Sequence, residues 1–292
     1  MTPITFCINT YLNEKEYITL LLESLLNGID VNRHHILIFV DGDNQNTTEM
    51  LINQHSLFPN LKIIKNNGPP IKYQKNINYM FQIAETDIVS YLQSDQVVCL
   101  KYDEAILSHL TKNMILSATR IEPPLHCLHD NPVTYVRNFG LTPADFNYTD
   151  FLASSELFKN KTKLTNYFFA PFTLYKNLWN DVGGHDCQFV KSREDSDILI
   201  RLLLNGNEVV QCWDAIAYHF TCISSRGIDW WKQDNKEKET IRLQNDAIEL
   251  QRFIKKWGRF AHPTSYKEVQ DLDKSKIIVN NPPIDTSKFE VL

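Results

Sequence analysis

HILIFVDGDNQNTTEMLI, residues His35 to Ile52, decides how this chain is read. His35 to Val40 is an apolar run of strand length. Polar DGDNQNTT then interrupts it, before Met50, Leu51 and Ile52 resume the apolar pattern. The run therefore ends on an acid, Asp41. The same step recurs on either side. Thr5 to Asn9 reads as a short strand, followed by Glu14 to Gly28, where Tyr17, Ile18, Leu21, Leu22, Leu25 and Leu26 fall at helical spacing. LKIIK is a third strand and Tyr73 to Glu85 a helix with Ile77, Met80, Phe81 and Ala84 on one face. DIVSYL is a fourth strand, Tyr102 to Leu110 a helix and MILSAT a fifth strand. Strands alternating with helices predict βαβ units and a mostly parallel central sheet flanked by helices, an α/β fold.

At 292 residues the chain is long enough for one large α/β domain or two small ones, and 43% hydrophobic with 22% charged residues is ordinary globular composition. A net charge of −5 gives no basic footprint for nucleic acid. No stretch approaches the roughly 20 apolar residues of a membrane span; ITLLLESLL and DILIRLLL are short and broken by charge. The start, MTPITFCINTY, lacks a basic n-region and an apolar h-region, so a cytoplasmic protein is expected. Six cysteines without a CxxC pair are expected to be free, buried thiols.

In parallel sheets ligands bind beyond the carboxyl ends of the strands. Glu14, Asp41 and Asp95 each follow a strand end, which places three acids on one rim, although any one of them could simply cap a helix or make a turn. No Gly-x-x-x-x-Gly-Lys-Ser/Thr and no Gly-x-Gly-x-x-Gly is present, so a nucleotide would be gripped by side chains and a cation rather than a glycine cradle.

The second half begins with a proline-bearing connection, Arg120 to Asp150, then aromatic NYFFAPFTLY and LWNDVGGHDCQF. SREDSDILIRLLLNG starts a helix at about Glu194, with Ser192 a plausible N-cap. Glu194, Asp195 and Asp197 in its first turn suit the helix dipole, and one of them could face a pocket as a general base. Two strand-like runs follow in EVVQCWDAIAYHF, ending near His219, which could serve either as packing residue or as metal ligand. His126 and His129, in HCLH, lack the second cluster that zinc would need. A polar helix, roughly Asp229 to Lys256, and a loosely packed tail of about 30 residues complete the chain.

These pieces, in this order, resemble the family 2 inverting glycosyltransferases with the Rossmann-like GT-A fold, over roughly residues 4 to 226. NTYLNEKE is similar to the family's T-Y-N-E opening, VDGDNQNTT to V-D-D-G-S-x-D-x-T and NNGPPIKYQKNIN to N-x-G-x-x-x-A-x-N. YLQSDQ falls where the family has L-D-x-D. VGGHDCQF resembles V-G-G-F-D-x-x-F, REDSDILIRLLLNG resembles E-D-x-D-L-x-x-R-L-x-x-x-G, and YHF carries the late histidine. The resemblance implies a domain of residues 1–226, with a nucleotide-binding half of about 1–119 and an acceptor half of about 120–226. A C-terminal helical extension and tail, 227–292, would follow.

It also implies an enzyme that moves a sugar, most simply from a UDP-sugar, to the hydroxyl of a glycan or other acceptor, with Mn²⁺ or Mg²⁺ as cofactor. Thr10, Tyr11, Glu14, Asp41, Asn76, Gln93 and Ser94 would hold the nucleotide, and Asp95 and His219 the metal. Asp195, with Glu194 beside it, would be the catalytic base. Gly184, His185, Asp186 and Trp230 would line the sugars, and Arg226 would face the diphosphate. Gln93 stands where the family has its first Asp; an amide adds no charge, so weaker metal affinity is expected. A catalytically degenerate nucleotide-sugar binder is the alternative. A sugar nucleotidyltransferase would need a glycine-rich basic loop that NTYLNEKE does not supply.

Overall fold

In β1 (Ile4–Thr10) alternate residues serve opposite sides of one sheet. Ile4, Phe6 and Ile8 enter one apolar core and Cys7 the other. β2 (His35–Val40) repeats the device, with Ile36, Ile38 and Val40 on the first side and Leu37 and Phe39 on the second. Such uninterrupted apolar strands belong to sheets covered on both faces. α1 (Lys15–Gly28) covers the first face with Tyr17, Ile18, Leu21, Leu22 and Leu25, all buried, and α3 (Tyr73–Ile83) covers the second with Ile77, Met80 and Phe81. Each such side chain contributes about 1.5–3 kcal/mol by leaving water.

The computed structural model describes residues 2–12, 14–125, 128–190, 192–221, 236–260, 262–263 and 265–292, without the side chains of 236–242. With β3 (Leu61–Asn66), β4 (Ile88–Gln93), β5 (Gln96–Val98), β6 (Met114–Glu122), β9 (Phe172–Tyr175), β10 (Glu208–His219) and β11 (Phe289–Val291), the strands order as β11-β3-β2-β1-β4-β9-β6-β10-β5. β7 (Thr134–Val136) and β8 (Asn160–Thr165) pair with β6 and β10.

The run β3-β2-β1-β4 is parallel, as alternation predicts. β9 enters antiparallel between β4 and β6, and β6 and β10 are again parallel to each other. The sheet of the second half is therefore mixed. Helices α2 (Thr47–Ile52), α4 (Tyr102–His109), α5 (Tyr148–Phe158), α6 (Lys176–Asp181), α7 (Glu194–Leu204) and α8 (Lys236–Trp257) complete the fold.

Two expectations are corrected. The runs in EVVQCWDAIAYHF are one strand, β10, whose pairing with β6 slips between Cys212 and Ile216; the irregularity interrupts the apolar pattern without ending the strand. Nor is the tail loosely packed. β11 adds to the edge of β3, with Phe289 against Phe39 and Tyr79, while Val279 and Asn281 bond to the chain at 182–187. α8 is tied down as well: Phe253 and Trp257 lie in the second core, and the Trp257 indole donates to Asp197 at 2.8 Å. Cys7, Cys99, Cys187 and Cys212 are free thiols.

Candidate active site

Strand register assembles the first cluster. β10 pairs antiparallel with β5, setting His219 opposite Gln96, and the Phe220 amide donates to the Asp95 carbonyl at 3.0 Å. β10 also pairs in parallel with β6, where Tyr218 lies opposite Ile121, so the strands end together at His219 and Glu122. His219 Nδ1 lies 2.9 Å from Glu122 Oε1, and its Nε2 lies 3.7 Å from Asp95 Oδ2. Arg120, two residues before Glu122 and so on the same face of β6, reaches Glu122 Oε1 at 3.3 Å and stacks 4.0 Å over the Phe169 ring. Asp95 and His219 are both buried.

The turn that carries Asp95 is braced from below. Glu14, buried before α1, accepts from the Tyr11 amide at 2.9 Å and from the Ser94 hydroxyl. Gln93 accepts from the Gln96 side-chain amide at 3.2 Å, while the Gln93 backbone amide donates to Gln96 Oε1 at 2.9 Å. QSDQ is thus a closed turn, with Gln93 bonded inside it.

Asp41 is engaged within the protein itself. Its carboxylate accepts from Asn66 Nδ2 at 2.8 Å and Asn76 Nδ2 at 3.1 Å, and from the backbone amides of Ile71 and Lys72. Four protein donors use its lone pairs, so it clamps the loop between β3 and α3 to the end of β2. Thr10 is buried and passes its carbonyl to the Asp41 amide at 2.9 Å.

The acids of α7 form a second cluster. Glu194 is buried beside Asp195, which keeps part of its surface open. Burial raises the pKa of Glu194, assisted by the charge of Asp195 and opposed by a hydrogen bond from Tyr73. Burial raises Asp195 as well, and the Arg120 guanidinium opposes it. Glu194 Oε2 has no hydrogen-bond partner among the described residues. Asp197, by contrast, is structural: it accepts from Arg201 Nε and Trp257 Nε1 at 2.8 Å each and meets Lys256 Nζ at 2.7 Å.

Two residues join the clusters. Arg120 contacts Glu122 and lies within electrostatic reach of Asp195. Tyr91, buried on β4 with its hydroxyl on Asn9 Oδ1, is held neutral by burial and by Asp195, Asp95, Glu14 and Glu194 together. Backbone strain marks the same region. Among the described non-glycine residues at positive φ, Leu12, Lys72, Arg193 and Thr221 flank or adjoin Glu14, Asp41's loop, Glu194 and His219.

Gly184, His185 and Asp186 depart from the sugar-lining role. Gly183 and Gly184 both have positive φ, and a Cβ on either would collide, with Val279 O in one case and Asn78 Oδ1 in the other. His185 is 1% exposed, packed edge-on against Trp179, and burial lowers its pKa to about 3. Asp186 pairs with Lys256 Nζ at 2.8 Å. These side chains serve packing because α8 and the tail cover the loop. Arg226, Trp230 and His126 lie outside the described residues.

Sequence reasoning missed Glu122 and Arg120. Glu122 follows the apolar run MILSATRI as Asp41 follows HILIFV, so the strand-end rule could have found it; Pro123 and Pro124 drew the residue into the connection instead. A groove of about 430 Å³ lies between Pro69–Lys75 and Cys187–Val190, beside Asp41's loop and away from Asp95.

The sequence profile of glycosyl transferase family 2 matches residues 6–161, from β1 to the start of β8. The chain belongs to glycosyl transferase family 2. Solved structures similar to this family member include S. aureus TarS 1-349 in complex with UDP, at 17% identity and TM-score 0.53, covering 86% of this chain and 65% of that one. Another is the mannosyltransferase PcManGT from Pyrobaculum calidifontis in complex with GDP-Man and Mn²⁺, at 15% identity and TM-score 0.58, covering 91% and 67%. GalNAc-T7 with UDP, GalNAc and Mn²⁺ matches at 11% identity and TM-score 0.56, covering 75% and 43%. The chain thus spans less than two thirds of the TarS and GalNAc-T7 structures. At these identities the likeness establishes the α/β glycosyltransferase fold. No curated protein matches by sequence. Among the described residues of this family 2 glycosyltransferase, no helix is long and apolar enough to cross a membrane.

Proposed function

We propose that the chain transfers a sugar from a nucleoside diphosphate sugar, UDP-linked in the first instance, to an acceptor hydroxyl with inversion at the anomeric carbon. The observation that carries this is the facing pair Asp95 Oδ2 and His219 Nε2, 3.7 Å apart, with Tyr91 sensing both Asp95 and a separate acid, Asp195, and with Arg120 reaching His219 and acting on Asp195. UDP in TarS and GDP-Man with Mn²⁺ in PcManGT support a nucleotide-sugar donor.

The donor set fits a divalent cation. Nδ1 meets Glu122 Oε1 at 2.9 Å and Arg120 Nη1 at 3.5 Å, and Nε2 is the ring nitrogen that faces Asp95. A carboxylate oxygen and an imidazole nitrogen with no hydrogen bond between them are a donor pair that would suit a divalent cation. Mn²⁺ or Mg²⁺ held there would neutralise charge on the leaving diphosphate.

Asp195 is the base. As a residue it is less buried than Glu194, and a raised pKa improves its match to a hydroxyl proton. Glu194, hydrogen-bonded to Tyr73, holds the first turn of α7 so that Asp195 faces outward. Glu14 and Ser94 hold the turn of Asp95, and Asp41 with Asn76 shapes the loop over the nucleoside.

Incubation with a panel of UDP-, GDP- and dTDP-sugars and Mn²⁺ tests this. Metal-dependent release of one nucleoside diphosphate is expected, and neither turnover nor binding of any donor would refute it. One observation favours a binding-only member: the Gln93 carbonyl is tied to Gln96 rather than turned to the cation. A metal-dependent melting shift without turnover would select that reading.

A further inference from the structure

We propose that Glu122 is a positioning residue for the cation site, one that fixes the His219 ring so that Nε2 faces Asp95; this rests on the cation reading given above. The case begins with register. β6 and β10 run parallel and end level, so an acid at the last position of β6 and a histidine at the last position of β10 are neighbours by construction. β5 brings Asp95 to the opposite side of the same histidine.

The ring's two nitrogens are unequally engaged. Nδ1 is at full hydrogen-bond distance from Glu122 Oε1, 2.9 Å, whereas Nε2 stands 3.7 Å from Asp95 Oδ2. Glu122 thus holds the ring through Nδ1 and leaves Nε2 as the nitrogen aimed at Asp95. Metal-bound histidines commonly donate their other ring nitrogen to a carboxylate, which sets the tautomer and makes the ligating nitrogen more basic.

Glu122 is itself held in place. Arg120 contacts Oε1 at 3.3 Å, and its Cζ sits 4.0 Å over the centre of the Phe169 ring. A carboxylate fixed by a stacked arginine cannot swing away when the ring is pulled toward a cation. Arg120 also lies within reach of Asp195, so the same guanidinium ties the cation side of the site to the base side.

The test uses the full chain, stripped with EDTA, and reads the ring before any cation is added. Long-range ¹H–¹⁵N spectra of histidine-labelled protein at pH 7.5 are expected to show a His219 proton at Nδ1, on the Glu122 side of the ring. Glu122→Gln, whose amide can donate as well as accept, is expected to give a mixed or inverted pattern, and Glu122→Asp to keep the Nδ1 proton. Mn²⁺ alone, followed by the loss of its free EPR signal, is expected to bind about 10–100-fold more weakly to Glu122→Gln. Asp95→Asn and His219→Ala are expected to bind it far more weakly still, with circular dichroism showing that both remain folded. Wild-type ring pattern and wild-type Mn²⁺ affinity in Glu122→Gln would overturn the inference while leaving the cation site standing. A wild type that takes up no Mn²⁺, with or without UDP, would end the cation reading instead, and the ring spectra would still decide what Glu122 does.

Discussion

Asp41→Asn separates a nucleotide ligand from a structural clamp, because the structure fixes what asparagine can replace. The buried carboxylate receives four donors, and an asparagine carbonyl can serve those on one side only. With its oxygen toward Ile71, Lys72 and Asn76, its NH₂ points at the Asn66 NH₂. Asn66 cannot turn over to compensate, since its Oδ1 accepts from the Gly68 amide at 2.9 Å and its Nδ2 also donates to the Pro69 carbonyl at 2.9 Å. One buried donor is left facing another, at roughly 1–3 kcal/mol, and the surviving bonds lose the charge that made them about twice as strong. The expected loss is about 4 kcal/mol of stability in the ligand-free protein, or about 6–7 °C in Tm for a chain of this size. Urea unfolding without nucleotide measures it. A loss below about 1 kcal/mol, with nucleotide binding abolished, would show that Asp41 serves the ligand and refute the clamp.

Asp195→Asn should lower transfer by at least about 100-fold, as expected for loss of a general base, with nucleotide-sugar affinity by calorimetry nearly unchanged; equal loss of both would assign it a structural role. Because burial raises Asp195, the rate should fall on acidification at a pH above the usual carboxylate range, and an unperturbed acid limb near pH 4 would contradict this. Raised carboxyls bind protons more tightly in the folded state, so Glu194 contributes stability that is present at low pH and lost as pH rises through its folded pKa. Glu194→Gln should therefore stabilise the protein on the order of 1 kcal/mol or more at pH 8 and not at pH 4, as read from denaturation midpoints at both. Arg201→Met, leaving Asp197 short of its fully buried partner, should cost about 3–5 kcal/mol, and a cost under 1 would mean Lys256 and Trp257 suffice.

The parallel first half was legible because its strands are buried on both faces and its helices carry a clean apolar stripe, so periodicity and packing report the same elements. HILIFV and LKIIK became β2 and β3 as read. β8 was not legible: NKTKLT is polar and exposed, and its strand state comes from pairing with β10 alone. The positions of Asp95 and Asp195 followed from strand and helix ends. The partners did not. Nothing in a linear pattern announces that β10 lies between β5 and β6, and that arrangement is what sets His219 against Glu122. Asp41 was found by the strand-end rule and its occupation was not, since Asn66, Ile71, Lys72 and Asn76 reach it through a loop whose path no periodicity describes.

β11 has a consequence for the order in which the molecule is made. The exposed side of β3 stays open until residues 289–291 arrive, more than two hundred positions later in synthesis, and the strap from Val279 and Asn281 over Gly183 and His185 arrives with them. A growing chain therefore carries an unpaired strand border for most of its translation, the kind of surface that recruits chaperones or neighbouring chains. Asp95 is made early and Asp195 and His219 late, and the fastening over Gly183 and His185 follows later still.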